Sequence, residues 1–269
     1  MADDAASALG VSLRSERLEV RGSALASTWF IPARSHGSGC IVFLHEGLGS
    51  VRQWKEFPAR LCAAAMLRGF AFDRLGHGRS DPLGAPRSPD YLREEGRDWL
   101  PAVLAAAGIS EPIPFGHSDG GSIALYYAAA HPVPALVVEA AHVFVEELAL
   151  SGIRWLGREW HPSGMARRSQ RSHGPKTDAL FTAWHDTWLS APFRDFNMLD
   201  VLSGIGCPTL VLQGERDPYG TPAQVDAIAR GVRGPAQRWL VPGAGHAPHL
   251  EARDAVVARV ADFLRAVLD

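Results

Sequence analysis

Short apolar runs alternate with helical patterns along most of this chain, and this alternation limits the fold more than any other feature. Residues 40–44, CIVFL, are continuously apolar and are followed by a glycine-rich turn and a helical stretch. A strand buried on both faces has this pattern. Similar runs are found at 69–72, 112–115, 135–138, 209–212 and 238–241. Strands that alternate with helices predict an α/β fold with a mostly parallel sheet and helices on both faces.

Two local features add detail to the predicted sheet. Apolar and polar residues alternate over 11–20, and 24–31 is a second strand candidate, so we expect an opening hairpin with Arg21 and Gly22 in its turn. Pro114 lies inside a run that should form a central strand. Because proline has no N–H to donate to a strand ladder, we expect a local irregularity there.

Residues 143–206 interrupt the alternation, because they contain no clear strand pattern. They hold four of the eight tryptophans, namely Trp155, Trp160, Trp184 and Trp188. We therefore predict a helical insertion over 143–206, with residues 1–142 and 207–269 forming one core. As a hypothesis, Trp155, Trp184 and Trp188 line an apolar substrate pocket. The alternative is that all four tryptophans pack into a small core of the insertion itself.

Composition excludes several classes of protein. A formal net charge of −2 gives no electrostatic reason to expect a nucleic-acid or membrane partner. The three cysteines are widely spaced without a CxxC pair, which argues against structural zinc and favours reduced thiols in the cytoplasm. No secretory signal or membrane-spanning run is apparent. We expect no metal and no cofactor, and a homodimer is left open.

Residues 116–120, GHSDG, form the only complete G-x-S-x-G in the chain. A mostly apolar run precedes Ser118 and an alanine-rich helical stretch follows it. This strand–turn–helix context is typical of a nucleophile elbow, in which small flanking residues avoid collisions in a tight turn. The helix N-terminus behind the serine offers N–H groups to an oxyanion. The alternative is a glycine-rich turn whose serine only caps the helix.

A serine hydroxyl needs a base, and the chain supplies an acid and then a histidine in the expected order. Asp217 follows the run 209–212, and His246 follows the run 238–241. Sites in such folds gather where strands end. We expect His246 to accept the Ser118 proton and Asp217 to hold the imidazole. The alternatives left open are the acids Glu139, Glu146 and Glu215 and the neighbouring His249.

The segment 44–50, LHEGLGS, follows the first buried run and can present backbone N–H groups to a developing oxyanion. Gly47 is the first choice of donor and Leu48 the second, paired with the N–H of Asp119. The alternative is an ordinary strand-to-helix turn. His45-Glu46 does not begin an H-E-x-x-H metal motif, because Gly49 occupies the position of the second histidine.

Together these motifs resemble the α/β-hydrolase fold superfamily over nearly the full chain. The matching segments are LHEGLGS (44–50), DRLGHGRSD (73–81), GHSDGG (116–121), GERDPYG (214–220) and GAGHAPHLE (243–251). The resemblance implies an eight-stranded, mostly parallel sheet with a helical cap inserted after strand six, and a triad of Ser118, Asp217 and His246. It also implies a mainly architectural role for the segment 73–81.

One departure concerns Glu46, which stands where many members of this superfamily have glycine. A carboxylate beside an oxyanion site opposes charge development unless it points away or binds a substrate cation. We therefore include Glu46 among the candidate substrate-binding residues.

The expected function is that of a serine hydrolase acting on a small-molecule acyl substrate, most simply a small to medium ester. Thioesters and lactones are alternatives, as is the carbon–carbon bond of a ring-fission-type diketone, which similar proteins cleave with the same triad. The serine nucleophile disfavours haloalkane dehalogenase and epoxide hydrolase activity, for which similar proteins use aspartate. A ligand receptor without turnover is a further alternative that the intact triad disfavours.

Overall fold

The computed structural model describes residues 6–268, so the first five residues of the segment searched for a secretory signal lie outside it. The chain forms one eight-stranded sheet. The strands are β1 (Val11–Val20), β2 (Ser23–Pro32), β3 (Cys40–Leu44), β4 (Arg68–Phe72), β5 (Pro112–His117), β6 (Leu136–Glu139), β7 (Thr209–Gly214) and β8 (Ala236–Val241).

The strand order in the sheet is β1-β2-β4-β3-β5-β6-β7-β8. β1 and β2 pair antiparallel as the predicted hairpin, and Arg21 and Gly22 turn the chain at positive φ of 53° and 78°. β2 also pairs antiparallel with β4, whereas every pairing from β4 through β3 to β8 is parallel. The predicted α/β fold with a mostly parallel eight-stranded sheet is confirmed.

Helices cover both faces of this sheet, and further helices lie between β6 and β7. They are α1 (Phe57–Ala65), α2 (the consecutive segments Tyr91–Glu94, Glu95–Trp99 and Leu100–Ala107), α3 (Asp119–Ala130), α4 (Glu147–Glu159), α5 (Met165–His173), α6 (Thr177–Leu189), α7 (Ala191–Arg194), α8 (Pro222–Gly231), α9 (Pro248–Glu251) and α10 (Arg253–Leu268). None of the helices within residues 6–268 is long and apolar enough to cross a membrane.

The alternation of side chains along β3 divides the core into two layers. Ile41 and Phe43 belong to the cluster that includes the buried faces of α1 and α10. Val42 and Leu44 point to the opposite face and belong to the cluster that includes α2, α3 and α8. Because successive strand residues face opposite sides, a continuous apolar run is what a strand covered on both faces requires. Burial of both layers stabilises the sheet that carries the site.

The expected irregularity at Pro114 is absent. The register between β3 and β5 is unbroken from Cys40 opposite Pro112 to Leu44 opposite Gly116. Pairing of β5 with β6 begins only at Phe115. Cys40 donates to the carbonyl of Glu111, so odd-numbered residues of β5 face β3 and Pro114 faces β6. Proline is tolerated there because its missing N–H falls before the paired part of that ladder.

Between β6 and β7, residues 143–206 form the helices α4 to α7; we call these residues the cap segment. An isolated bridge joins Phe144 and Asn197 near the two ends of this segment. Within it, Trp160 stacks on Phe181 with ring centroids 4.0 Å apart. The segment therefore has a packed aromatic interior of its own.

Candidate active site

Ser118 sits on a tight turn between β5 and α3, with φ 53° and ψ −119°. This positive φ is unfavourable for a residue with a side chain and is typical of a nucleophile elbow. The flanking glycines make the turn possible. A Cβ on Gly116 would lie 2.1 Å from the carbonyl oxygen of Gly120, and one on Gly120 would lie 1.9 Å from the carbonyl oxygen of Leu44.

The structure brings Ser118, His246 and Asp217 into one hydrogen-bonded chain. The Ser118 hydroxyl lies 3.0 Å from Nε2 of His246. Nδ1 of His246 donates to Oδ1 of Asp217 at 2.8 Å. The same carboxylate oxygen accepts the N–H of Tyr219 at 2.9 Å, which fixes its position. The three side chains come from the carboxyl ends of β5, β7 and β8, at one edge of the sheet.

The electrostatic environment suits a histidine that gains a proton. Burial acts to lower the pKa of His246, but the hydrogen bond and charge of Asp217, together with Glu46 and Glu139, outweigh burial and raise that pKa. Burial acts to raise the pKa of Asp217, but its contacts with His246 dominate and hold that pKa below its usual value. Asp217 is therefore charged when His246 accepts a proton.

The other acids that the sequence left open have different partners. Oε1 of Glu139 accepts from Nδ1 of His249 at 2.7 Å, so these two form a separate buried pair. Glu146 accepts from Thr221 and Gln224. Glu215 accepts from the backbone N–H of Gly243. Among these acids, Asp217 is the one hydrogen-bonded to His246.

The buried pair of Glu139 and His249 belongs to a larger hydrogen-bonded network at the ends of β5 and β6. His117, Glu139 and His249 place potential metal-ligating atoms within 4.8 Å of one another. Nε2 of His117 already donates to the carbonyl of His246 at 2.8 Å. These hydrogen bonds tie the loop that carries His246 to the ends of β5 and β6. No sequence pattern predicted this network, because its members are distant along the chain.

Two of the three candidate oxyanion donors have free N–H groups. Within residues 6–268, the backbone N–H groups of Gly47 and Asp119 donate to no acceptor. The N–H of Leu48 is engaged, because Oε2 of Glu46 accepts it at 2.5 Å. Gly47 and Asp119 thus remain candidates, whereas the second choice, Leu48, is occupied in this structure.

The Glu46 side chain therefore folds back onto its own turn. Burial raises the pKa of this carboxyl group, while the Leu48 N–H and the nearby His246 act in the opposite direction. The Glu46 carbonyl also accepts from Nη2 of the buried Arg74 at 2.9 Å. This contact fits the architectural role expected for the segment 73–81, because the Arg74 side chain holds the backbone of the Glu46 turn in place.

The side chain of Asp119 connects the elbow to the cap segment. Tyr91 donates its hydroxyl to Oδ2 of Asp119 at 2.5 Å. The indole N–H of Trp188 donates to the Tyr91 oxygen at 2.9 Å. Burial raises the pKa of Asp119, and Arg74 and the Tyr91 bond act to lower it. Trp188 thus supports the residue after the nucleophile through Tyr91.

The three tryptophans predicted to bind substrate lie in different surroundings. Trp184 lies directly over the turn, since a Cβ on Gly47 would be 2.1 Å from its Nε1. Its buried Nε1 has no hydrogen-bond partner within residues 6–268. Trp188, on α6 of the cap segment, is buried, and Trp155 is 51% exposed. The position of Trp155 on the surface does not support a pocket-lining role.

His173, which sequence reasoning did not single out, fastens the cap segment to the core. Nδ1 of His173 accepts the N–H of Gly78 at 2.8 Å, and Nε2 donates to the carbonyl of Leu48 at 2.9 Å. Both ring nitrogens are used by a neutral imidazole, and burial lowers the pKa of His173 accordingly. The end of α5 is thereby fixed against the loop that carries Gly47.

The sheet order, the elbow and the hydrogen-bonded serine, histidine and aspartate define an α/β hydrolase. The alpha/beta hydrolase family model matches residues 41–259, and the chain belongs to this family. The family match covers every strand from β3 to β8 except the first residue of β3.

Two curated relatives and one solved structure illustrate the similarity. The chain is 26% identical over 282 residues to human serine hydrolase BPHL, covering 97% of this chain and 89% of that protein. It is 27% identical to 2-succinyl-6-hydroxy-2,4-cyclohexadiene-1-carboxylate synthase of Yersinia pestis, covering 87% and 90%. The structure of 2-hydroxy-6-oxo-6-phenylhexa-2,4-dienoate hydrolase from Rhodococcus sp. strain RHA1 superposes with a TM-score of 0.76 at 16% identity, covering 95% and 99%.

Proposed function

We propose that this protein is a serine hydrolase that cleaves small to medium carboxylic esters through an acyl-enzyme on Ser118. The observation that carries the proposal is the chain of contacts from Ser118 to His246 at 3.0 Å and from His246 to Asp217 at 2.8 Å. This arrangement supplies a nucleophile, a general base and a group that orients the base. The name of the human relative, serine hydrolase BPHL, agrees with this chemistry.

In the acylation step, the Ser118 oxygen attacks the ester carbonyl as Nε2 of His246 takes the hydroxyl proton. The carbonyl oxygen becomes an oxyanion, which the N–H groups of Gly47 and Asp119 stabilise. The imidazolium is stabilised by Asp217. Collapse of the tetrahedral intermediate breaks the bond to the alkoxide leaving group, which takes the proton from His246 and departs as an alcohol.

In the deacylation step, neutral His246 accepts a proton from water, whose oxygen attacks the acyl-enzyme carbonyl. The second tetrahedral intermediate uses the same donors. Its collapse breaks the bond to the Ser118 oxygen, which regains the proton from His246, and the carboxylic acid product is released. The raised pKa of His246 favours proton uptake in both steps.

A carbon–carbon bond hydrolase is the second candidate. The solved structure that superposes with a TM-score of 0.76 is named as a hydrolase of a phenylhexadienoate. The Yersinia relative is named as a synthase of a cyclohexadiene carboxylate. Both names refer to diene carboxylates rather than to simple esters, and this supports keeping the second candidate.

The experiment is a panel of short-chain 4-nitrophenyl esters, lactones, acyl thioesters and a ring-fission dienoate, tested with wild type and Ser118→Ala. We expect the esters to give the largest kcat/KM and the Ser118→Ala variant to lose it. Preferred cleavage of the dienoate would favour the second candidate. Wild type and variant that are equally inert, with no labelling by a fluorophosphonate, would overturn the hydrolase proposal in favour of a ligand receptor.

A further inference from the structure

A cleft beside the proposed catalytic residues has a strongly cationic rim. Its volume is about 400 Å³, and its basic lining residues are Arg52, Lys55, Arg168 and Arg171. All four are exposed. Glu46 is the single carboxyl group among the lining residues. The sequence as a whole carries a net charge of −2, so this rim is a local concentration of positive charge.

The cationic side chains are available to a ligand. Within residues 6–268, none of the four forms an ion pair with a carboxylate. Arg168 donates to the carbonyl of Ser163 at 3.0 Å, and Arg52 donates to the carbonyl of Arg171 at 2.8 Å. These bonds to neutral oxygens orient the guanidinium groups of Arg168 and Arg52 and leave their charge uncompensated.

The cleft borders the proposed triad, although Ser118, His246 and Asp217 are not themselves among its lining residues. Its lining residues include His117, which precedes Ser118, and Ala247, which follows His246. The rings of His117 and His246 lie with their centroids 5.0 Å apart. The buried aromatic rings of Trp54 and His249 also line the cleft. Glu46 is another lining residue, and its charge acts on His246, so the cleft borders the site on the side of the Glu46 turn.

The position of the rim is fixed by the fold. Arg168 and Arg171 lie three residues apart on α5, which places both on one helix face. His173 at the end of the same helix is bonded to Gly78 and Leu48. Arg52 links the core to the last turn of α5 through the Arg171 carbonyl. The helix that carries Arg168 and Arg171 is thus fixed beside the cleft before any ligand arrives.

We propose that this cleft binds an anionic group, a carboxylate or a phosphate, at the far end of the acyl substrate. Guanidinium groups bind both anions through charge-assisted hydrogen bonds, and the excess of positive charge at the rim attracts anionic ligands. The inference rests on the proposed function, because it assigns one end of the molecule that Ser118 cleaves.

The experiment compares matched substrates with and without the anion. Mono(4-nitrophenyl) glutarate and 4-nitrophenyl pentanoate test a carboxylate on the acyl side. Butyryl-coenzyme A and butyryl-N-acetylcysteamine test phosphates on the leaving group. The double variant Arg168→Gln/Arg171→Gln removes two rim charges. Arg167→Gln is the matched control, because Arg167 is exposed on the same helix and lies outside the cleft lining.

We expect wild type to favour at least one anionic substrate over its neutral partner. The double variant should lose about tenfold in kcat/KM for that substrate, mainly through KM, with the neutral partner unchanged. The preference should also weaken as sodium chloride is raised. The control should behave as wild type. Equal loss for anionic and neutral substrates, or no loss for either anionic one, would overturn the inference while the hydrolase proposal stands.

A calorimetric titration separates this inference from the hydrolase proposal. Glutarate and coenzyme A are titrated into Ser118→Ala, with and without the two arginine substitutions. Saturable binding that the double substitution weakens would support the anion site even if every ester in the panel were inert. Absence of binding by both compounds, together with no preference for anionic substrates, would reject it.

Discussion

The carboxylate of Glu46 accepts the N–H of Leu48 at 2.5 Å, so an acid beside the proposed oxyanion site is directed back onto its own turn. From its position in the sequence, this carboxylate is expected to repel the negative charge that develops on the oxyanion. The bond to Leu48 and the raised pKa of the buried carboxyl group reduce that repulsion in the resting protein. They leave the Gly47 N–H free.

Glu46→Gln should shift the acidic limb of the kcat/KM profile to lower pH. The Glu46 charge helps to raise the pKa of His246, and the base must be neutral to accept the Ser118 proton. Removing that charge lowers the pKa, so the variant should be several-fold faster than wild type on the acidic limb. A pH–rate profile with a 4-nitrophenyl ester measures this. Glu19→Gln is the control, because Glu19 is an exposed residue of β1. A limb that moves to higher pH would contradict the prediction.

Asp217→Asn should lower kcat by about 10⁴-fold, because the amide no longer holds His246 in the right tautomer or stabilises its charged form. Glu139→Gln should cost far less, since Glu139 pairs with His249. Steady-state kinetics of both variants, with circular dichroism to check folding, separates the two acids. Comparable losses of kcat in the two folded variants would mean that Glu139 is as important for catalysis as Asp217, which would contradict the prediction.

Gly120→Ala should destabilise the protein by about 3 kcal/mol or prevent soluble expression, because its Cβ would overlap a main-chain oxygen that cannot move aside. That oxygen is the Leu44 carbonyl, 1.9 Å away. Gly84→Ala is the control, since a Cβ there meets nothing within 4 Å. Urea denaturation gives the free energy of unfolding for each. Similar midpoints for the two variants would refute the steric argument.

Trp184→Phe should reduce the fluorescence change that follows labelling of Ser118 by an alkyl fluorophosphonate, and Trp155→Phe should preserve it. Trp184 lies against Gly47, whereas Trp155 is 51% exposed. Fluorescence titration of both variants with the same probe provides the measurement. A signal that depends on Trp155 instead would mean that α4 approaches the site when ligand binds.

Much of the fold could be predicted because it depends on local patterns. Continuous apolar runs specify strands buried on both faces, and the hairpin turn at Arg21 and Gly22 follows from alternation and turn chemistry. Pro114 could not be judged in this way. Whether a missing N–H disrupts a ladder depends on which neighbour it faces, and that is set by sheet order.

The sequence alone determined the order of chemistry along the chain: a serine in a glycine-flanked turn, then an acid and a histidine after later strands. Only the tertiary structure decided which acid meets the histidine, because several carboxylates follow strand ends and through-space contact with His246 selects Asp217. The cationic cleft also depends on the tertiary structure. Arg52 and Arg168 are distant in sequence, and only the packing of α5 against the core brings their charges together. Local spacing encodes secondary structure and turns, whereas electrostatic neighbourhoods arise only when distant segments pack.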